Sequence, residues 1–230
     1  EYLNVENIVR GNVPTVSNEQ ILITGGSFNL TFLDGNNGRV NTTENSLSAS
    51  IPVQTDITGL EGQMQYYIGQ CISRDGNLTD CDITDTPFSV NWELNTDALA
   101  FIEVNTFNVF GLEVGLSNCD VLYDFAGETG TQFEVSIADV TNYTESTLWM
   151  IIKDFPSAIT ISNQNIEGNA LTTFSNSIPM GLNATLIAIT TDSNDLLKFG
   201  SLDITVTGDD NFNVDTEYGT IEELQELIQT

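Results

Sequence analysis

Catalysis in this chain would have to come from carboxylates. None of its 230 residues is a histidine, which removes Ser-His-Asp and Cys-His nucleophilic catalysis, imidazole acid–base chemistry and histidine-ligated metals. There is no G-x-x-x-x-G-K phosphate loop and no dinucleotide-binding glycine fingerprint. Neither Lys153 nor Lys198 stands in a Schiff-base or Ser-Lys setting. A glycosidase needs two carboxylates, usually beside aromatic sugar platforms, and Glu93 next to Trp92 is the best local pair. Val90, Trp92 and Leu94, however, alternate along one strand face, which puts Trp92 in a core and turns Glu93 outward. Trp149 lies in the apolar run Leu148-Trp149-Met150-Ile151-Ile152 and reads as core too. The expectation is a protein that is not an enzyme.

The best positive signal is for a hard cation. Asp209, Asn211, Asn213, Asp215 and Glu217 crowd oxygen donors into nine residues. Counted from Asn211, donors recur at positions 1, 3, 5 and 7, with Glu222 at 12, the spacing of an EF-hand calcium loop. Thr216 stands at position 6, where that loop needs glycine, and the preceding segment reads as a strand. A true EF-hand is therefore not expected; the plainer expectation is a solvated acidic turn, with a looser calcium site as the alternative. Asp75, Asp80, Asp82 and Asp85 form a second, weaker cluster. Of the three cysteines, Cys71 and Cys81 flank the turn-like Arg74-Asp75-Gly76-Asn77. A hairpin there would bring their sulfurs together, so a Cys71–Cys81 disulfide is expected, leaving Cys119 over. No cofactor is expected apart from calcium.

Charge decides what the chain avoids. Thirty-three acidic residues against five basic ones give a net charge of −28. The cations, Arg10, Arg39, Arg74, Lys153 and Lys198, are scattered. A nucleic-acid binder needs clustered cations to displace counterions, so nucleic acid and anionic membranes are excluded as partners. The acidity itself fits solubility, a salty habitat or divalent-cation binding. No apolar run approaches 18 residues, so no membrane span is expected. The chain opens Glu1-Tyr2-Leu3 without a signal peptide, which fits a mature exported protein or a fragment of one. Sequons at Asn29, Asn41, Asn77, Asn142 and Asn183 are about as many as chance supplies at this Asn, Ser and Thr content.

The elements that must position these residues are strands. Apolar and polar residues alternate with period two between Gly, Asn and Asp turns. Strands are expected at 27–32, 63–73, 88–94, a long one at 98–110, then 121–126, 131–140, 147–154, 158–162, 171–174, 184–191 and 202–207. That number suits two tandem antiparallel β-sandwich domains, residues 1–117 and 118–230, with the boundary in Gly115-Leu116-Ser117-Asn118. A capping box at Thr220 and Glu223, followed by Ile221, Leu224, Leu227 and Ile228 at helical spacing, predicts a C-terminal helix over 221–229. Leu3, Val5 and Ile8 read as an N-terminal strand, either the first of its own sandwich or an assembly strand donated to a neighbour.

An Asn- and Thr-rich, Lys-poor chain of two such sandwiches is similar to the immunoglobulin-like or fibronectin-like modules of microbial surface proteins. The Cys…Trp…Cys order of true immunoglobulin domains is missing, because Trp92 follows both Cys71 and Cys81, and no functional residue carries over. The expected function is a non-catalytic structural protein of the cell exterior: a subunit of a surface filament, pilus or layer, or an adhesin module. It would pair with itself or with another surface protein. The alternatives are a glycan-binding module, with Tyr66, Tyr67, Tyr123 and Tyr143 as sugar platforms, and a virion surface protein.

Overall fold

The computed structural model describes residues 2–3, 5–10, 13–36, 47–53, 59–60, 62–72, 78–79, 89–103, 106–112, 115–124, 130–140, 143, 146–161, 163–164, 170–208 and 210–229. These residues are mostly strand, and the all-β expectation holds. The chain divides into two compact units, Glu1–Tyr123 and Asp124–Thr230.

The first unit contains β1 (Tyr2–Leu3), α1 (Val5–Arg10), β2 (Val16–Ser17), β3 (Gln20–Leu30), β4 (Leu47–Pro52), β5 (Gln65–Ile72), β6 (Leu78–Thr79), β7 (Ser89–Leu94), β8 (Leu99–Glu103), β9 (Thr106–Leu112) and β10 (Gly115–Leu122). The larger sheet runs β1-β3-β10-β5-β6, with β2 also on β3 and β7 also on β5. A smaller sheet runs β4-β9-β8. Phe28, Tyr66, Cys119 and Val121 of the larger sheet share one apolar cluster with Phe107 and Val109 of the smaller.

The opposite face of the larger sheet is also buried, because the sheet curls. β2 and β7 sit at opposite flanks of the strand order, yet Ser17 Oγ donates to the Trp92 carbonyl at 2.6 Å, and Trp92 Nε1 donates to the Pro14 carbonyl at 2.8 Å. Gly69 makes room for the indole. It pairs with Trp92, and a Cβ there would lie 3.0 Å from Trp92 Cζ3 and 2.9 Å from Leu116 Cδ2. Ile8, Val9, Val13 and Thr15 are buried as well.

Three expectations for this unit change. The boundary at 117/118 falls inside β10, which pairs with both β3 and β5, so a cut there would sever the sheet; the division lies between Tyr123 and Asp124. The single strand over 98–110 is the hairpin β8–β9, with Glu103 opposite Thr106. The inward positions shift from Ala100 and Ile102 to Phe107 and Val109, a change of parity that one regular unbroken strand does not allow. Leu3, Val5 and Ile8 do not share one strand. Leu3 lies in β1, paired with Ser27 of β3, whereas Val5 and Ile8 lie in α1. Val5, Ile8 and Val9 are spaced i, i+3, i+4, and Glu6 pairs with Arg10 one turn on at 2.7 Å, both helical signatures.

The second unit contains β11 (Gly130–Thr131), β12 (Glu134–Ile137), β13 (Thr147–Ile152), β14 (Ser157–Thr160), β15 (Asn163–Gln164), β16 (Leu171–Thr172), β17 (Ile178–Pro179), β18 (Asn183–Thr191), β19 (Leu197–Thr205), β20 (Asn211–Val214), β21 (Glu217–Tyr218) and α2 (Ile221–Ile228). Its sheets run β14-β13-β18-β19-β21, β15-β16-β12-β20 and β11-β17. Trp149 is buried in β13, as its apolar run requires. The β18–β19 hairpin turns on Asp192, whose Oδ1 accepts the Asn194 and Leu196 amides at 2.8 and 3.0 Å. β19 begins earlier than expected because Gly200 breaks the apolar pattern; the Asp215 carbonyl lies 1.9 Å from where a Gly200 Cβ would be, so no side chain fits. Not every pair is antiparallel. β12 and β20 run parallel, which the long chain between them makes possible. α2 carries the expected capping box: Thr220 Oγ1 accepts the Glu223 amide at 3.2 Å, and Glu223 Oε2 accepts the Thr220 amide at 2.8 Å. Ile228 is buried, while Ile221 is 63% exposed. Among the described residues, no helix is long and apolar enough to cross a membrane.

Candidate functional site

The most unusual chemistry in the chain lies inside the curled sheet. β3 and β10 are central strands buried on both faces, so even their polar side chains are enclosed. The register sets Ser27 opposite Asn118 and Thr24 opposite Asp120, with a bulge at Gly25 between the two pairs. Across β10, Asn118 pairs with Tyr67 of β5. Thr24, Ser27, Asn118 and Asp120 are all fully buried.

A hydrogen-bond network joins most of this cluster. Thr24 Oγ1 donates to Asn118 Oδ1 at 3.1 Å and accepts the Gly26 amide at 3.0 Å. The Cys119 amide donates to Asn118 Oδ1 at 3.0 Å, and Asn118 Nδ2 donates to Asp120 Oδ2. Two atoms are left over: among the described residues, Asp120 Oδ1 and Ser27 Oγ have no hydrogen-bond partner.

Burial pushes the Asp120 carboxyl well above its usual range; the Thr24 hydroxyl, whose single proton goes either to Asn118 or to Asp120, and the Gly25 amide pull the other way without cancelling it. Burial, then the Asp120 charge, push the Tyr67 phenol up to about 12 and raise the Cys119 thiol well above its usual value. A thiol held protonated is a poor nucleophile. Asp120 is enclosed on every side, so what it can do is exchange a proton with consequences for stability.

The predicted site residues are not brought together in this way. Glu93 points outward, where Gln70 Nε2 donates to its Oε2, and Trp92 is wholly buried beside it. Asn211 and Asn213 lie on strand β20, not on a loop, and Glu217 lies on β21. Among the described residues, no three His, Cys, Asp or Glu side chains are placed together to hold one ion. Asn213 instead accepts from Ser136 Oγ at 3.0 Å and donates to Asp215 at 3.2 Å. Asp209 lies outside the described residues, as does the cluster of Asp75, Asp80, Asp82 and Asp85. Cys119 is free and buried, and Cys71 is buried and not free; the expected partner, Cys81, lies outside the described residues.

The sugar platforms also move. Tyr66, Tyr67 and Tyr143 are buried, and Tyr143 Oη accepts the Ile137 amide at 3.3 Å. Among the described residues the exposed rings include Phe32, Tyr218, and Phe101 and Phe110, the last two stacked at 6.0 Å on β8 and β9 with Leu99 beside Phe110. Alternation along β8 could have flagged Leu99 and Phe101 as outward, but Ala100 and Ile102 alternate just as well in the opposite phase. Comparison of the chain with protein-family models and with curated proteins finds no match.

Proposed function

We propose that this protein is a non-catalytic structural module of the cell exterior, a subunit of a surface filament, pilus or layer or a segment of an adhesin. The observation that carries the reading is where the chemistry-bearing groups lie. The Asp120 carboxyl, pushed well up by burial, and the free thiol of Cys119 are spent inside a sheet core, while Asn211, Asn213, Asp215 and Glu217 stand exposed along β20, β21 and the link between them. The finer fold, immunoglobulin- or fibronectin-like sandwiches, belongs to the same proposal; the cluster shared by the two sheets of the first unit supports it. A Cys71–Cys81 disulfide is part of the same proposal: thiol titration of the unreduced, unfolded chain should count one thiol, and three would rule it out.

Negative-stain electron microscopy of the purified protein, with and without millimolar calcium, tests the reading. Ordered filaments or sheets are the expected result, favoured by calcium because a divalent cation screens chains of −28 charge. Isolated particles in both conditions remove self-assembly. A second reading, a module for uncharged glycans, rests on the exposed Phe101–Phe110 pair beside the polar Ser50 and Asn108. A glycan screen without binding removes it.

A further inference from the structure

The N-terminal segment of the first unit is held firmly by its packing and joined weakly by its hinge. β1 pairs with β3 through Tyr2–Phe28 and Leu3–Ser27. Ile8, Val9, Val13 and Thr15 are buried, and Ser17 and Pro14 bond to Trp92. All of this connects to the rest of the unit through one two-residue turn, Asn18-Glu19, between the paired residues Ser17 and Gln20.

That turn is strained. Asn18 has φ 47° and Glu19 has φ 67°. A two-residue hairpin with positive φ at both central positions is the type I′ kind, which strongly prefers Asn-Gly. Asn18 suits the first position. Glu19 occupies the position where a side chain is disfavoured, because its Cβ crowds the following carbonyl. If the turn straightens, β2 and β3 become one continuous strand and both residues return to ordinary φ. The segment then leaves its own unit, but every pairing and packing surface it used has an identical counterpart on another copy.

We propose that residues 2–17 exchange between copies of this chain, with Asn18-Glu19 as the hinge. Because the same pairing and packing form within one chain or between two, the balance between closed and exchanged forms rests on hinge strain, protein concentration and the repulsion between two chains of −28 charge. High protein concentration and high salt therefore favour exchange. The inference does not depend on the cell-exterior reading: exchange can operate in a protein of any location, and filaments can form without it.

The test measures solution mass by light scattering for the whole chain at high protein concentration and high salt, in the wild type, Glu19→Gly and Glu19→Pro. Glycine accepts positive φ without strain, so Glu19→Gly should shift the equilibrium towards the single chain by roughly fivefold or more. Proline is locked near −65° and cannot close the turn, so Glu19→Pro should shift it towards two chain masses or higher multiples. If Glu19→Pro does not fold, the wild type and Glu19→Gly still decide the matter. Mixing mass-labelled and unlabelled wild type should also yield mixed oligomers in native mass spectrometry. All variants at one chain mass, or oligomers indifferent to residue 19, would overturn the proposal.

Discussion

Trp92→Ala should cost the first unit about 3–5 kcal/mol, the usual range for emptying a buried tryptophan site. The loss is expected to be large because the indole serves two functions. Its ring fills the space above Gly69 against Leu116, and its Nε1 holds the Pro14 carbonyl, tying the N-terminal segment to β7. Trp92→Phe separates them. Phenylalanine retains much of the packing but leaves the Pro14 carbonyl unpaired, at a cost of about 1–3 kcal/mol. Urea unfolding followed by far-UV circular dichroism measures both. Of the chain's two tryptophans, only Trp149 remains in these variants, so its fluorescence reports the second unit directly. A Trp92→Ala midpoint equal to the wild type would mean that the ring does not organise this sheet.

Asp120→Asn should stabilise the protein at neutral and alkaline pH. The folded carboxyl holds its proton well above the ordinary aspartate range because burial disfavours the charge. Below an unfolded pKa of about 3.9 both states are protonated, and stability is fully present. As pH rises from there towards the folded pKa, only the unfolded state releases its proton. Stability then falls by about 1.4 kcal/mol per pH unit for this one group. Asparagine removes that slope while keeping an oxygen to accept from Asn118 Nδ2. Asp120→Ala is the control: it removes the acceptor as well, leaves buried donors unpaired and should destabilise at every pH. Thermal melts from pH 5 to 9 decide; a wild-type curve parallel to Asp120→Asn would show that Asp120 does not carry the dependence.

Two exposed carboxylates act in the opposite direction. Asp192 is held below its usual range by the Leu196 and Asn194 amides, and Asp203 by bonds from Lys153 and Thr185. Their contributions are present above about pH 3.9 and are lost as pH falls through the folded values. The protein should therefore be most stable at about pH 4, just above the acid range where these bonds break, because the Asp120 loss begins as soon as the unfolded carboxyl ionises.

Local rules were enough for much of this fold. The alternation in Val90, Trp92 and Leu94 is a β7 pattern whatever surrounds it, and the tryptophan is buried as that pattern requires. The run Leu148–Ile152 has no polar face to turn outward, so β13 had to be enclosed. Thr220 and Glu223 satisfy each other's backbone within one turn of chain, which makes α2 readable from four residues. The −28 charge is a property of composition alone.

What remained hidden depended on partners distant in sequence. Whether Asn211 to Glu217 formed a loop or strands rested on β12, some 75 residues earlier, whose parallel pairing draws Asn211–Val214 straight. The polar cluster was invisible because Thr24, Ser27, Asn118 and Asp120 look like ordinary exposed positions on alternating strands. Their burial arises only when β3 and β10 become central and the sheet curls until Ser17 meets Trp92. Composition and periodicity determined which elements form and the charge they carry. The tertiary structure decided which face of each strand meets water, because that depends on long-range pairing, and with it which carboxyl loses its solvent and which remains an ordinary surface acid.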